Sequence, residues 1–462
     1  MIDQHPYFDP VHVDPNPPDT ASYMVSVGDY YQSVAVVTDP RRLPAACKQV
    51  AGHPHIASEV TWVNPTRFKA EGPMLIAAYN SMADIDGWLW FGAWFVGYEN
   101  TFSKFQVAVP SLMGQFPGAA LLYRRGDVET PVAVREARNL NRAHHKEPGL
   151  ISEYNPARDP ADNTVYDSAT GTGRLDPLAM LVGQALCDYL TEDGTNYVAP
   201  DLLSHVNMEG QVVESLPIPT APHGQLRLDW GEGIFQVNSA RSQGICGFLN
   251  HVPSVDLDDV TIASSNEFGA ILVISLDDQP IAQSQKILIQ AMTEDNPYHW
   301  QEEDQVFTNN GVVYNGKKIL SLGQAPFNVV NIAGTVTLKG LGEGRTFRAI
   351  VLDENGYARG DGVSAVIGAD LQVTLPTDSL YTVLVERLVP RFTGCDVNAG
   401  GTITLTWDAV AGQRYQLECT ADLREVSWSP RGAPIVATDA TATTSDVLGE
   451  DAQRIYRLVL LP

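Results

Sequence analysis

The sequence has no long hydrophobic run. Its longest apolar stretch, near Trp88–Val96, falls far short of the ~20 residues a membrane-spanning helix needs. Basic residues are scarce, 30 Lys and Arg against 55 Asp and Glu, and the net charge of -25 opposes binding to nucleic acid or to an anionic membrane surface. A neutral or cationic partner is not repelled. There are only five cysteines, Cys47, Cys187, Cys246, Cys395 and Cys419, and their spacing fits no zinc or Cys-x-x-Cys pattern. No metal centre is expected from them. Cys395 and Cys419 share the last domain, and free thiols are expected ahead of a disulfide. The opening MIDQHPYFDP lacks the basic start and apolar stretch of a secretion signal.

Charged residues make up 18% and hydrophobic residues 44%, which excludes wholesale disorder. A chain of 462 residues is long enough for two to four domains. The first part, 1–125, alternates strand-like and helix-like stretches. Strands are predicted at Met1–Tyr7, His55–Trp62 and Trp88–Phe95, and helices near Leu43–Ala51 and Thr66–Ala83. The second helix buries a face of Phe68, Gly72, Leu75, Ile76, Tyr79 and Met82, and its firm part starts at Pro73. This βαβαβ order predicts a parallel sheet.

Residues 126–215 read as a loop-rich wrapping segment. It contains the polar run Asn155–Gly173 and one helix, Leu178–Leu190, capped by Asp176-Pro177. From 216 to 390, short runs punctuated by Asp, Gly, Asn and Pro predict a β-sandwich, and 391–462 predicts a small second one. The fold class expected is multidomain, α/β plus all-β.

Chemistry is expected in the first part. In parallel α/β folds, sites gather at the carboxyl ends of strands. His5, Tyr7, Glu59, Trp62, Trp88 and Trp90 fall near such ends. A carboxylate among aromatic rings suits sugar chemistry, since rings stack on pyranose faces and the carboxylate attacks or stabilises an oxocarbenium-like centre. His144-His145 reads as solvated loop, and Thr170–Gly173 lacks the context of a phosphate loop. Asp256, Asp258 and Asp259 read as an acidic turn rather than a calcium site.

These strand ends resemble the last part of the (β/α)8 barrel of clan A glycoside hydrolases. Asp3, His5 and Tyr7 match the Asp-x-His-x-Tyr pattern of the sixth strand, Glu59 in Ser58–Trp62 the nucleophile of the seventh, and Trp88 or Trp90 the platform tryptophan of the eighth. Residues 110–128, Asp229–Gly233 and Ala240–Gly244 resemble large multidomain bacterial hydrolases, and the likeness spans about 1–390. The resemblance implies a partial barrel holding the last three strands, followed by β-sandwich domains. It implies cleavage of β-linked oligo- or polysaccharide with retention. Glu59 would be the nucleophile, His5 and Tyr7 would position substrate, and Trp62, Trp88 and Trp90 would stack on sugar rings. It implies no cofactor, and an extracellular or periplasmic location.

The departure from the family is that the general acid/base follows the fourth strand, which is not in this chain. The resemblance therefore implies the C-terminal part of a longer enzyme, or a form without its front half. Asp3, Asp9, Asp86 and Glu99 are the conceivable substitutes, and the spacing favours none of them. Two alternatives stand beside the hydrolase: a non-catalytic carbohydrate-binding or structural fragment, and a hydrolase of another bond, such as an esterase. An open half-barrel exposes strand edges, so homo-oligomers are expected.

Overall fold

The computed structural model describes residues 1–14, 23–45, 49–93, 102–131, 133–139, 177–190, 197–198, 205–221, 223–341, 345–360, 363–366, 370–386, 390–409, 411–424, 427–449 and 453–461. These form two compact units, Met1–Val385 and Glu386–Pro462. Both are mostly β-structure.

The first unit opens on a parallel sheet. Its strands are β1 (Ile2–Gln4), β2 (Tyr7–Phe8), β3 (His55–Trp62) and β4 (Gly87–Trp90). β3 is central, with β1 and β2 on one side and β4 on the other. The expected strand His55–Trp62 forms over its whole length. α1 (Gly72–Met82) starts where Pro73 allows, and every one of its residues is buried. Gly72 has to be small: a Cβ there would lie 2.8 Å from the Trp62 ring. α2 (Pro110–Met113) and α3 (Phe116–Arg125) follow, and α3 ends on Gly126 at φ 62.

Two expected helices do not form. The stretch 43–51 follows a 3-10 turn at Pro40–Arg42 and holds a short strand at Gln49–Val50. Leu178–Leu190 gives a 3-10 turn at Pro177–Leu181 and a strand at Ala185–Leu190, which pairs in parallel with both Val134–Asn139 and Gln49–Val50. Gly183 breaks the helical run, and the open edges beside 185–190 offer ladder bonds that outweigh local propensity. His144-His145 and Thr170–Gly173 lie outside the described residues.

The all-β expectation for 216–390 holds. A ten-stranded sheet runs from Val206–Asn207 to Val363–Val366, and a four-stranded sheet of Val255–Asp256, Val260–Ser264, Gly334–Leu338 and Leu371–Thr374 accompanies it. Ile271, Val273, Ile287 and Ile289 of the large sheet share a core with Val260, Ile262, Val336 and Leu338. Leu272, Ile274 and Leu288 share a second core with α1 and α3. Sheet covered on both faces explains why Gly269–Ser275 is buried at all seven positions and reads as an unbroken apolar run.

A long hairpin, β5 (Asp295–Asn309) and β6 (Val312–Val329), leaves this sandwich and pairs with Tyr30–Tyr31. Its turn is Asn310-Gly311, both at positive φ. Nothing in its sequence alternates cleanly, because Pro297, Gly316, Gly323 and Pro326 interrupt it.

The second unit packs two three-stranded sheets around Trp407 and Tyr415. Cys395 and Cys419 are both free, the first exposed and the second buried.

Candidate functional site

A β-bulge builds the site. On the β4 side of β3, Ala57 pairs with Trp88 and Val60 with Trp90, so Ser58 and Glu59 together oppose the single residue Leu89. Successive strand residues normally point to opposite faces, and a bulge re-aims one of them. Here both neighbours reach the His5 ring. Ser58 Oγ is 3.0 Å from His5 Nε2, and Glu59 Oε2 is 3.4 Å from His5 Nδ1.

The Tyr7 hydroxyl donates to Glu59 Oε2 at 2.8 Å. Burial, then the hydrogen bond and charge of Glu59, push the Tyr7 phenol above its ordinary range, so it stays protonated and keeps donating. Asp3 accepts from Ser58 Oγ at 2.7 Å and from Ser58 N at 3.0 Å. The Ser58 hydroxyl bond is the main reason its carboxyl sits below the ordinary range. The Glu59 side chain is 36% exposed, and its Oε1 has no hydrogen bond among the described residues. One oxygen is thus held by protein and the other is open to a ligand.

The rings around this carboxylate differ from those expected. Tyr7 packs edge-on against Phe105, centroids 5.3 Å apart, and Phe91, 6.2 Å away, and Tyr23 lies 5.6 Å beyond Phe105. The Phe91–Gly92 peptide is cis, and Gly92 N donates to Phe105 O at 2.6 Å. Trp62, Trp88 and Trp90 lie on the helix side of the sheet instead. Trp62 is 0% exposed, tilted against Trp90 at 6.2 Å, and donates its Nε1–H to Glu71 at 2.9 Å. Trp88 and Trp90 pack between β4 and the helices α1 and α3. Side-chain alternation put both indoles on one face, as the sequence requires, but that face is the covered one. The three tryptophans expected beside Glu59 therefore do not share its face, and the rings next to Tyr7 on that face are Phe91 and Phe105. The phenylalanines carry no motif, so the sequence did not mark them.

Glu71 is the other residue the sequence did not mark. It is wholly buried and accepts from Val36 N at 2.7 Å, Val37 N at 3.2 Å and Trp62 Nε1 at 2.9 Å. Burial pushes its carboxyl up to about 8 against these donors. It ties the end of β3 to the loop at 36–37, and so holds the strand that carries Glu59.

Of the substitute acids, Asp86 precedes β4 and its Oδ2 accepts from His55 N at 2.8 Å, which places it at the other end of the sheet. Asp9 stands two residues beyond Tyr7, and desolvation holds its carboxyl above the ordinary range against Lys104, His12 and Arg42. Glu99 lies outside the described residues. No group of three or more metal-binding side chains occurs among the described residues. Asp256 is occupied by Lys339 Nζ at 2.8 Å and by Thr261.

No protein-family model matches this chain, and no curated protein matches it. The site's own geometry is what supports a function.

Proposed function

We propose that residues 1–385 carry the nucleophile side of a retaining β-glycoside hydrolase site, on a sheet corresponding to the last three strands of a (β/α)8 barrel. The observation that carries this reading is the partly exposed Glu59 carboxylate within a bulge of a central parallel strand. One of its oxygens is gripped by Tyr7 and the other is open. Glu59 Oε1 attacks the anomeric carbon as the bond to the leaving oxygen breaks and its electron pair departs with that oxygen. The departing oxygen takes a proton from solvent, and a water then attacks the anomeric carbon, loses a proton to solvent and releases the Glu59 carboxylate. Tyr7 steadies the carboxylate, His5 bonds sugar hydroxyls, and Phe91 and Phe105 face the pyranose. The substrate is a β-linked oligo- or polysaccharide, met outside the cell or in the periplasm, and no cofactor takes part. The outer edges of β1, β2 and β4 are unpaired among the described residues and Leu89 is 53% exposed, so self-association that covers these edges belongs to the same reading.

A second reading is glycan binding without turnover. It is favoured by Asp3, whose carboxylate is already committed to Ser58.

The test uses 2,4-dinitrophenyl 2-deoxy-2-fluoro-β-glycosides, whose leaving group needs no acid. A panel of gluco, galacto, manno and xylo forms is followed by intact-protein mass spectrometry. One glycosyl adduct per chain, mapped to the peptide holding Glu59 and absent in Glu59→Gln, is the expected result. No adduct with any sugar overturns the hydrolase reading. Retardation on glycan gels without an adduct selects the second reading.

A further inference from the structure

A cavity of about 220 Å³ lies on the face of β4 away from Glu59. Three stripes enclose it. α1 contributes Pro73, Ile76, Ala77 and Asn80, the i, i+3, i+4, i+7 positions of one helix face. α3 contributes Phe116, Ala119, Ala120, Tyr123 and Arg124 at the same spacing, and β4 contributes Trp88 and Trp90. Met113 and Phe116, 43% and 52% exposed, also line it and reach solvent.

Most of this lining is apolar, and two of its polar groups are buried. Asn80 is 1% exposed, and among the described residues neither its amide nitrogen nor its amide oxygen has a hydrogen-bond partner. Trp88 Nε1 is also buried and has no partner among the described residues. Leaving such groups unsatisfied costs roughly 1–3 kcal/mol each, so buried polar atoms in folded proteins are nearly always paired. The two side chains flank one cavity, and together they present N–H donors and one carbonyl acceptor. A hydroxyl group is their complement, because it offers one donor and two acceptor lone pairs. The space suits a ring: an apolar cavity of about 150 Å³ takes benzene. Arg124 is the one charged lining residue, which disfavours a cationic amine.

We propose that this cavity binds a small phenol, with its ring between Trp88, Trp90 and the alanines of α1 and α3 and its hydroxyl on Asn80 and Trp88 Nε1. The site is separate from Glu59 and independent of the hydrolase reading.

The experiment titrates the full chain with p-cresol and with toluene, which share a ring and a methyl group, by calorimetry and tryptophan fluorescence. p-Cresol is expected to bind about tenfold more tightly than toluene, the worth of a hydrogen bond made by an otherwise orphaned group. Asn80→Leu should lower the ratio about threefold while toluene binding survives. Trp88→Phe, which keeps a ring but loses the donor, should lower the ratio about threefold. Ala120→Phe should abolish binding of both by filling the space. Two results overturn the proposal: no binding of p-cresol at millimolar concentration, or a p-cresol to toluene ratio unchanged in both Asn80→Leu and Trp88→Phe.

Discussion

The Tyr7 hydroxyl and the Glu59 carboxylate meet at 2.8 Å, although 52 residues separate them in the chain. Parallel pairing of β2 with β3 sets Tyr7 beside Thr61, and Glu59, two residues before Thr61, shares that face of the strand. The phenol directs one carboxylate oxygen and leaves the other free. Removing it with Tyr7→Phe keeps the ring contacts and loses only a hydrogen bond to a charged group. Such bonds are worth about 1.5–3 kcal/mol, so the rate of glycosyl adduct formation should fall at least tenfold. Stopped mass measurements over time check this, and an unchanged rate removes Tyr7 from the site.

Ser58 joins Asp3 to His5, and its hydroxyl is the first cause of Asp3's lowered carboxyl. Ser58→Ala should move the Asp3 titration up towards the ordinary range. Carbon-13 NMR of the Asp3 side chain reads this directly. A midpoint that stays put would show that Ser58 does not hold Asp3.

Glu71 makes stability depend on pH. Its folded-state carboxyl sits at about 8, above the ordinary value near 4.5, so between these limits the folded chain holds a proton that the unfolded chain has lost. Stability should therefore be highest below pH 4.5 with respect to this group and should decline as pH rises to about 8, by a few kcal/mol in order of magnitude. Glu71→Gln removes that slope. Urea unfolding at several pH values from 5 to 8 compares the two, and parallel curves would rule out the assignment.

Gly72→Ala places a methyl group 2.8 Å from the Trp62 ring, inside contact distance. Alanine favours a helix over glycine by about 1 kcal/mol, but overpacking against a fixed indole costs about 1–3 kcal/mol. Net destabilisation is expected, read as a lower Tm by calorimetry. A raised Tm would show that Trp62 yields.

Self-association at the edges of β1, β2 and β4, unpaired among the described residues, predicts a mass above that of one chain in light scattering at micromolar concentration. Leu89→Lys, on the open face of β4, should shift the equilibrium towards the monomer. A monomer at every concentration counts against this part of the proposal.

The sequence alone determined part of the strand set and the order in which chemistry-bearing residues occur along the first strands. His55–Trp62, the α1 stripe from Pro73 and the short runs of 216–390 were legible because their apolar spacing is local and repeats with the period of the element. His5, Tyr7 and Glu59 were legible as strand-end residues for the same reason, and the structure brings those three together. Tertiary structure decided the rest. Alternation showed that Trp88 and Trp90 share a face, but only the packing of α1 and α3 made that face the covered one. The bulge at Ser58–Glu59 depends on registry with β4, and the strand at Ala185–Leu190 on neighbours more than forty residues away in sequence. Pairing across such distances leaves no periodic trace in a single chain, because the partner's position enters only once the backbone has folded.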